Sequence, residues 1–168
     1  MIKKTGLFIL LIMLGLINQQ CLKPVDYAQK EQEDIRNFLI NNNITVEPTE
    51  SGLYYIEDEV GTGKQPVTND TVTINYITYQ LSGLVIDTNI ESVAIQNDIW
   101  QEDRSYTPFS FALGSDMIIK GVNEGISYMR EGGKATLVIP SKLAYNDYQP
   151  LAFYVELLKV KHDTTSVK

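Results

Sequence analysis

The chain is poor in the residues on which most side-chain chemistry depends. It has one cysteine, Cys21, and one histidine, His162, in 168 residues. A single cysteine excludes an intrachain disulfide, and without clustered cysteine and histidine a zinc site has no ligand set. A nucleophile needs a neighbouring base, and the one histidine stands in a polar tail, where it reads as a solvated residue. Basic residues are also scarce. Lysine and arginine total 14 against 21 acids, for a net charge of −7, and that sign opposes binding to the phosphates of nucleic acid. Gly61-Thr62-Gly63 followed by Lys64 lacks the spacing of a phosphate loop and reads as a turn. Glu57, Asp58 and Glu59 form one exposed acidic run at a strand end. No metal or cofactor is expected.

What is present begins with a leader. Lys3 and Lys4 precede the apolar run Leu7 to Ile17, whose eleven residues suit a signal-peptide core and are too few for a bilayer, which takes about 20. The chain is therefore expected to be exported, to the periplasm or to a membrane surface. Loss of the first twenty residues would remove two lysines and no acid, leaving −9. Cys21 stands where bacterial lipoproteins carry their lipidated cysteine, although Asn18, Gln19 and Gln20 are not the small residues usual before it; a conventional cleavage site nearby is the alternative. A lipid on Cys21 would anchor the chain without making it span the membrane.

The centre of the mature chain is the stretch from Phe109 to Ala144. Phe109, Phe111 and Leu113 alternate with Ser110 and Ala112, the period of a half-buried strand. Ile119, Val122, Ile126 and Met129 then recur at helical spacing, for a helix of about three turns. Gly121 and Gly125 lie on a neighbouring face and predict a close approach of this helix to a sheet. Gly132 and Gly133 are expected to end the helix. Alternation returns in Ala135, Leu137 and Ile139, and Pro140 closes that strand.

Around this centre, Asp26 is a candidate N-cap for a helix with an apolar stripe of Ile35, Phe38 and Leu39, stopped by Asn41 to Asn43; it reads as a spacer or lid, or as a partner-binding helix. Strands are expected from Leu53, from Thr71 to Leu81, and from Leu84 to Asp87 after a Ser82-Gly83 turn. Residues 88–107 show no clear period and read as a flap over a pocket or as an edge strand with a bulge. The last strand, LAFYVELLKVK, is apolar on both faces and belongs in the middle of the sheet, with Phe153, Val155, Leu157 and Lys159 on one side. The fold class is α+β, an antiparallel twisted sheet wrapped over one amphipathic helix. The chain divides into a leader (1–21), a polar linker with a helix (22–50), one domain (51–162) and a polar tail (163–168).

These pieces resemble, in order, the FKBP-type peptidyl-prolyl cis-trans isomerases. The resemblance covers Gly52 to Lys161 and rests on the GTG turn, on TVTINYITYQLSGLVIDT, on FSFALGSDMIIKGVNEGISYMREGGKATLVIPSKLAY and on the closing FYVELLKVK. With its leader and N-terminal helix the chain is further similar to exported FKBP lipoproteins, including those associated with gliding motility. The resemblance implies an isomerase that assists the folding of exported proteins, acts as a monomer and takes proline-containing unfolded polypeptides. It implies catalytic roles for Tyr76, Asp87, Ile119 and Tyr145, with Ile119 offering its backbone N–H and Tyr145 its hydroxyl to substrate carbonyls. It places Ile86, Phe111, Ile118, Val122 and Phe153 in substrate binding.

Three features depart from the family pattern. Val122 stands where tryptophan usually floors the pocket, Ile86 where phenylalanine is common, and the loop between Tyr145 and Phe153 is short. Val122 and the short loop motivate an alternative, a catalytically weak or inactive FKBP-like chaperone or binding module of the envelope. A third reading makes the chain a structural subunit whose contact surface is the 88–107 insert.

Overall fold

The computed structural model describes residues 24–162, so the leader, Cys21 and the tail after His162 lie outside the described residues. Helix α1 spans Tyr27–Asn41. Its start is set by Asp26, whose carboxylate accepts from the amides of Ala28 and Gln29 at 3.1 Å each, satisfying two donors that the helix cannot. Its end falls at Asn42, and Asn43 takes a left-handed φ of 54°, as the asparagine run predicts. Ile35 is buried beneath it. Glu31 fixes the helix to the domain, accepting from the Ser141 amide at 2.6 Å and the Ser141 hydroxyl at 2.9 Å.

The sheet contains β1 (Tyr54–Glu59), β2 (Thr71–Gln80), β3 (Val85–Thr88), β4 (Phe109–Ala112), β5 (Lys134–Ile139) and β6 (Leu151–Lys161). Its order is β1-β5-β6-β2-β3, and every pairing is antiparallel. Strand β2 is long enough to pair with β6 along one edge and with two short strands along the other, β4 opposite Thr71 to Ile74 and β3 opposite Ile77 to Tyr79. Strand β6 is central, as its two apolar faces require. One residue departs from the expected alternation. The register slips between Thr73 and Ile74, which oppose Lys159 and Leu157. Leu158 is therefore an extra residue in the strand, and the slip buries Val160 while leaving Lys159 exposed, the usual consequence of a bulge.

Helix α3 (Lys120–Tyr128) crosses the sheet with Val122, Ile126 and Met129 buried against Leu137, Ile139, Val155 and Leu157. Burying side chains of this size contributes roughly 1.5–3 kcal/mol each. Gly121 and Gly125 permit the approach: a Cβ on Gly121 would sit 2.5 Å from Ile139 Cγ2, and one on Gly125 would sit 2.5 Å from both Leu137 Cδ atoms. The helix stops sooner than its glycines imply. Met129 is already extended, with ψ 164°, which drives its side chain into the core, and Gly132 with φ 85° shapes the following turn instead.

The 88–107 insert is neither a bare flap nor an edge strand. It opens with a short helix, α2 (Glu91–Gln96), that buries Ala94. Asn89 ties both ends of the insert to β2: it accepts from the Tyr76 amide at 2.8 Å and donates to the carbonyls of Ile74 at 3.1 Å and Thr107 at 3.0 Å.

Candidate active site

The concave face of the sheet is aromatic because of strand register. Val72 faces Phe111 and Ile74 faces Phe109 across β2 and β4, while Thr78 faces Phe153 across β2 and β6. Tyr76, two residues from Thr78 on the same face, stacks on Phe153 with centroids 5.3 Å apart and planes 7° from parallel. It also meets Phe109 edge-on at 6.5 Å, and Phe109 stacks on Phe111 at 5.5 Å. Helix α3 brings Val122 beneath these rings, 2% exposed.

The result is a hollow of about 270 Å³, open to solvent, that gathers Tyr76, Asp87, Phe111, Ile118, Ile119, Val122, Tyr145 and Phe153. These side chains come from β2, β3, β4, α3 and its preceding loop, β6 and the loop before it. Ile74, Phe109, Met117 and Leu151 complete the lining. The loop carrying Ile118 and Ile119 is held by Asn123, whose side chain accepts from the Gly114 amide at 2.8 Å and donates to the carbonyls of Ser115 at 3.0 Å and Ile118 at 3.1 Å. Ile119 is the N-cap of α3, and among the described residues no acceptor takes its amide. Tyr145 stands at the rim, 69% exposed.

One residue expected in this lining lies elsewhere. Thr78 opposes Asp87 and Tyr79 opposes Val85, so Ile86 is the extra residue of a bulge. Bulges re-aim side chains; Ile86 is 41% exposed and borders a separate groove.

The wall of the hollow holds a charged network. The Tyr76 hydroxyl donates to Asp87 Oδ2 at 2.8 Å, and the Thr88 amide donates to Oδ1 at 2.9 Å. Arg104, from the insert, donates Nη1 to Asp87 Oδ1 at 2.6 Å and Nη2 to Tyr76 Oη at 3.1 Å. Burial first, and then the Asp87 carboxylate, push the Tyr76 phenol up to about 12. The hydrogen bond to Asp87 raises Arg104 above its ordinary value. The phenol is thus a neutral donor and the guanidinium a permanent cation at neutral pH. Arg104 and Asn89 lie in the stretch whose lack of period concealed them; an arginine within reach of a half-buried aspartate is a tertiary fact with no local pattern.

An antiparallel sheet folded over one helix carries a small hollow, walled by aromatic rings and edged by one ion-paired carboxylate, whose size and lining suit a compact apolar ring. Among the described residues, the lining of this hollow includes no histidine, cysteine or lysine. A sequence profile described as FKBP-type peptidyl-prolyl cis-trans isomerase matches residues 62–158, and the chain belongs to that family. It is 37% identical over 127 residues to the FKBP-type peptidyl-prolyl cis-trans isomerase FkpA of Escherichia coli K12, covering 69% of this chain and 40% of that protein. It is 30% identical over 164 residues to the probable FkpA of Neisseria meningitidis serogroup B, covering 89% of this chain and 55% of the relative. The chain therefore spans only about half, or less, of the length of these relatives. The crystal structure of FkpA from Escherichia coli superposes with a TM-score of 0.62 at 31% identity, over 81% of this chain and 61% of the other.

Proposed function

We propose that this protein catalyses cis-trans isomerisation of X-Pro bonds in exported polypeptides. The observation that carries the reading is the convergence of Tyr76, Asp87, Phe111, Ile119, Tyr145 and Phe153 on one hollow. Rotation about an X-Pro bond crosses a barrier of about 18–20 kcal/mol because it breaks amide resonance, and uncatalysed it takes tens of seconds or more. No proton transfer or covalent intermediate is required. A planar amide is more dipolar than a twisted one, so an aromatic hollow from which the bound ring displaces water disfavours the ground state relative to the transition state.

In this reading Tyr76, Phe111 and Phe153 hold the pyrrolidine ring above Val122. The Ile119 N–H and the Tyr145 hydroxyl bind the carbonyls on either side of the twisting bond. Asp87 keeps Tyr76 and Arg104 in place, so the wall stays rigid while the amide turns. An acceleration of about 10⁴ corresponds to about 5.4 kcal/mol, within reach of ring packing, two carbonyl hydrogen bonds and desolvation acting together.

Residues 51–162 form the isomerase domain, residues 22–50 a linker whose helix docks on it, and 163–168 a polar tail. The protein is exported by its leader and held at a membrane face by lipid on Cys21, as a monomer of the lipoprotein type similar to those associated with gliding motility. The charged leader, its short apolar run and the position of Cys21 support this placement. Cis-trans exchange of a proline tetrapeptide, followed by NMR, tests the activity: exchange above background at micromolar protein is expected. Mass spectrometry of the mature N-terminus, finding a diacylglycerol adduct on Cys21, tests the anchor.

A further inference from the structure

The hollow is not the only concavity that a polypeptide would meet. A groove of about 760 Å³ adjoins it and shares Tyr145 and Leu151 with its lining. Helix α1 contributes Asn37, Phe38 and Asn41, and the β2–β3 turn contributes Gln80, Leu81 and Ser82. Ile86, turned away from the hollow by its bulge, borders this groove instead, as does Gln149. The groove is bounded by elements that are tied down. Glu31 bonds Ser141, and the Tyr27 ring lies 6.1 Å from that of Tyr148, which fixes α1 against the loop bearing Tyr145.

The chemistry of the lining matches that of an extended chain. Side-chain amides at Asn37, Asn41, Gln80 and Gln149 each carry both donors and an acceptor, which complements peptide groups in either chain direction. Phe38, Leu81 and Ile86 offer apolar contact to alternate side chains. Lys30 and Asp34, the oppositely charged pair at the edge, bond to each other, so among the described residues the one carboxylate of the lining without a cationic partner is Asp147, which accepts from the Gln149 amide at 2.9 Å. Its volume lies within the roughly 300–1,000 Å³ that accommodates ligands of drug size, a few residues of peptide.

We infer that this groove binds the residues flanking the proline held in the hollow, so that the protein takes extended, unfolded polypeptide in preference to short proline peptides. The inference rests on the hollow being the proline site, and it adds a second subsite joined to the first at Tyr145.

The test uses the full chain and two fluorescently labelled peptides, Ala-Leu-Pro-Phe and the same core extended by four uncharged residues on both sides. By anisotropy, the extended peptide binds at least tenfold tighter than the short one, and replacing its proline by alanine weakens it at least fivefold. In the double variant Asn37→Arg/Ser82→Arg, which fills the groove from α1 and from the turn, the ratio of extended to short affinity falls to within twofold of unity. Equal affinities of both peptides in the unaltered chain, or a tenfold ratio that survives the double variant, overturns the inference. Proline-independent binding of the extended peptide overturns the continuity of the two subsites. NMR of the unaltered chain gives a readout independent of the variant: the side-chain amide signals of Asn37 and Gln80 shift with the extended peptide and not with the short one, and their indifference to both also overturns the inference. These are binding measurements, so absence of turnover in the exchange assay would refute isomerase activity and leave the groove to be decided separately.

Discussion

Gly121→Ala tests the claim that the close approach of α3 to the sheet sets the depth of the hollow. The added Cβ would lie 2.5 Å from Ile139 Cγ2 and 3.2 Å from Cγ1, where carbon atoms at rest sit about 3.5–4.0 Å apart. Ile139 is fully buried and centrally packed, so it cannot swing aside; the helix must lift by about 1 Å or the strand must yield. Overpacking of this kind costs about 1–3 kcal/mol. Exchanging glycine for alanine in a helix returns at most about 1 kcal/mol. Even with the full return, a net loss of up to about 2 kcal/mol is expected, read as a lower urea midpoint at unchanged m-value and a melting temperature lower by several degrees. The same lift displaces Ile119 and Val122, so isomerase kcat/KM falls as well, by tenfold or more. A double-mutant cycle with Ile139→Ala separates the contact from general loss of packing: removing the clashing methyl groups makes the double variant more stable than the two single losses predict, by about 1 kcal/mol. Gly121→Ala as stable as the parent chain, with no coupling to position 139, refutes the reasoning.

Removing the Tyr145 hydroxyl with Tyr145→Phe deletes one hydrogen bond worth about 0.5–1.5 kcal/mol, so kcat/KM on a proline peptide falls by about two- to tenfold while the melting temperature is unchanged. Asn89→Ala leaves the Tyr76 amide and the carbonyls of Ile74 and Thr107 without their partner, at about 1–3 kcal/mol per stranded group, and hydrogen exchange across residues 88–107 accelerates accordingly. Tyr76 binds its proton more tightly when folded (about 12) than an ordinary tyrosine, at 10.0, so its contribution is complete below pH 10 and is lost as pH rises through about 12. Alkaline unfolding in that window is the expected result, accompanied by a late phenolate absorbance step that Tyr76→Phe diminishes and does not abolish, since the Tyr55 phenol is also pushed up to about 12. Glu31→Ala cuts both bonds to Ser141 and frees α1, seen as selective proteolysis within 27–41 at a dose that leaves the domain intact.

Much of the fold was legible because its determinants are local. The alternation of Phe109, Phe111 and Leu113, the helical spacing of Val122 and Ile126, and the capping chemistry of Asp26 each depend on residues within a few positions of one another. The glycine pair at Gly121 and Gly125 announced a close contact by the absence of side chains, and both meet the sheet as expected. The features that depart from local pattern have local causes too. Gly132 and Gly133 looked like a helix stop, but burial of Met129 takes the chain out of the helix earlier. The 88–107 stretch concealed α2, because a six-residue helix is too short to establish a period. The slip opposite Ile74 exchanged Lys159 for Val160 on the inner face, and the bulge at Ile86 moved that side chain to another groove, because a one-residue offset reverses the facing of everything beyond it.

By itself, the order of residues determined the six strands, helices α1 and α3, the family, and the poverty in cysteine and histidine that denies the chain a disulfide or a clustered zinc ligand set. These follow from backbone preference and composition, which each residue carries wherever it lies. Only the tertiary structure decided that Arg104 reaches Asp87 across seventeen positions, that Asn89 closes the insert, and that α1 and the β2–β3 turn border a groove that shares Tyr145 and Leu151 with the lining of the hollow. Those are meetings of distant segments, set by strand register and by where loops cross, and no local pattern encodes them.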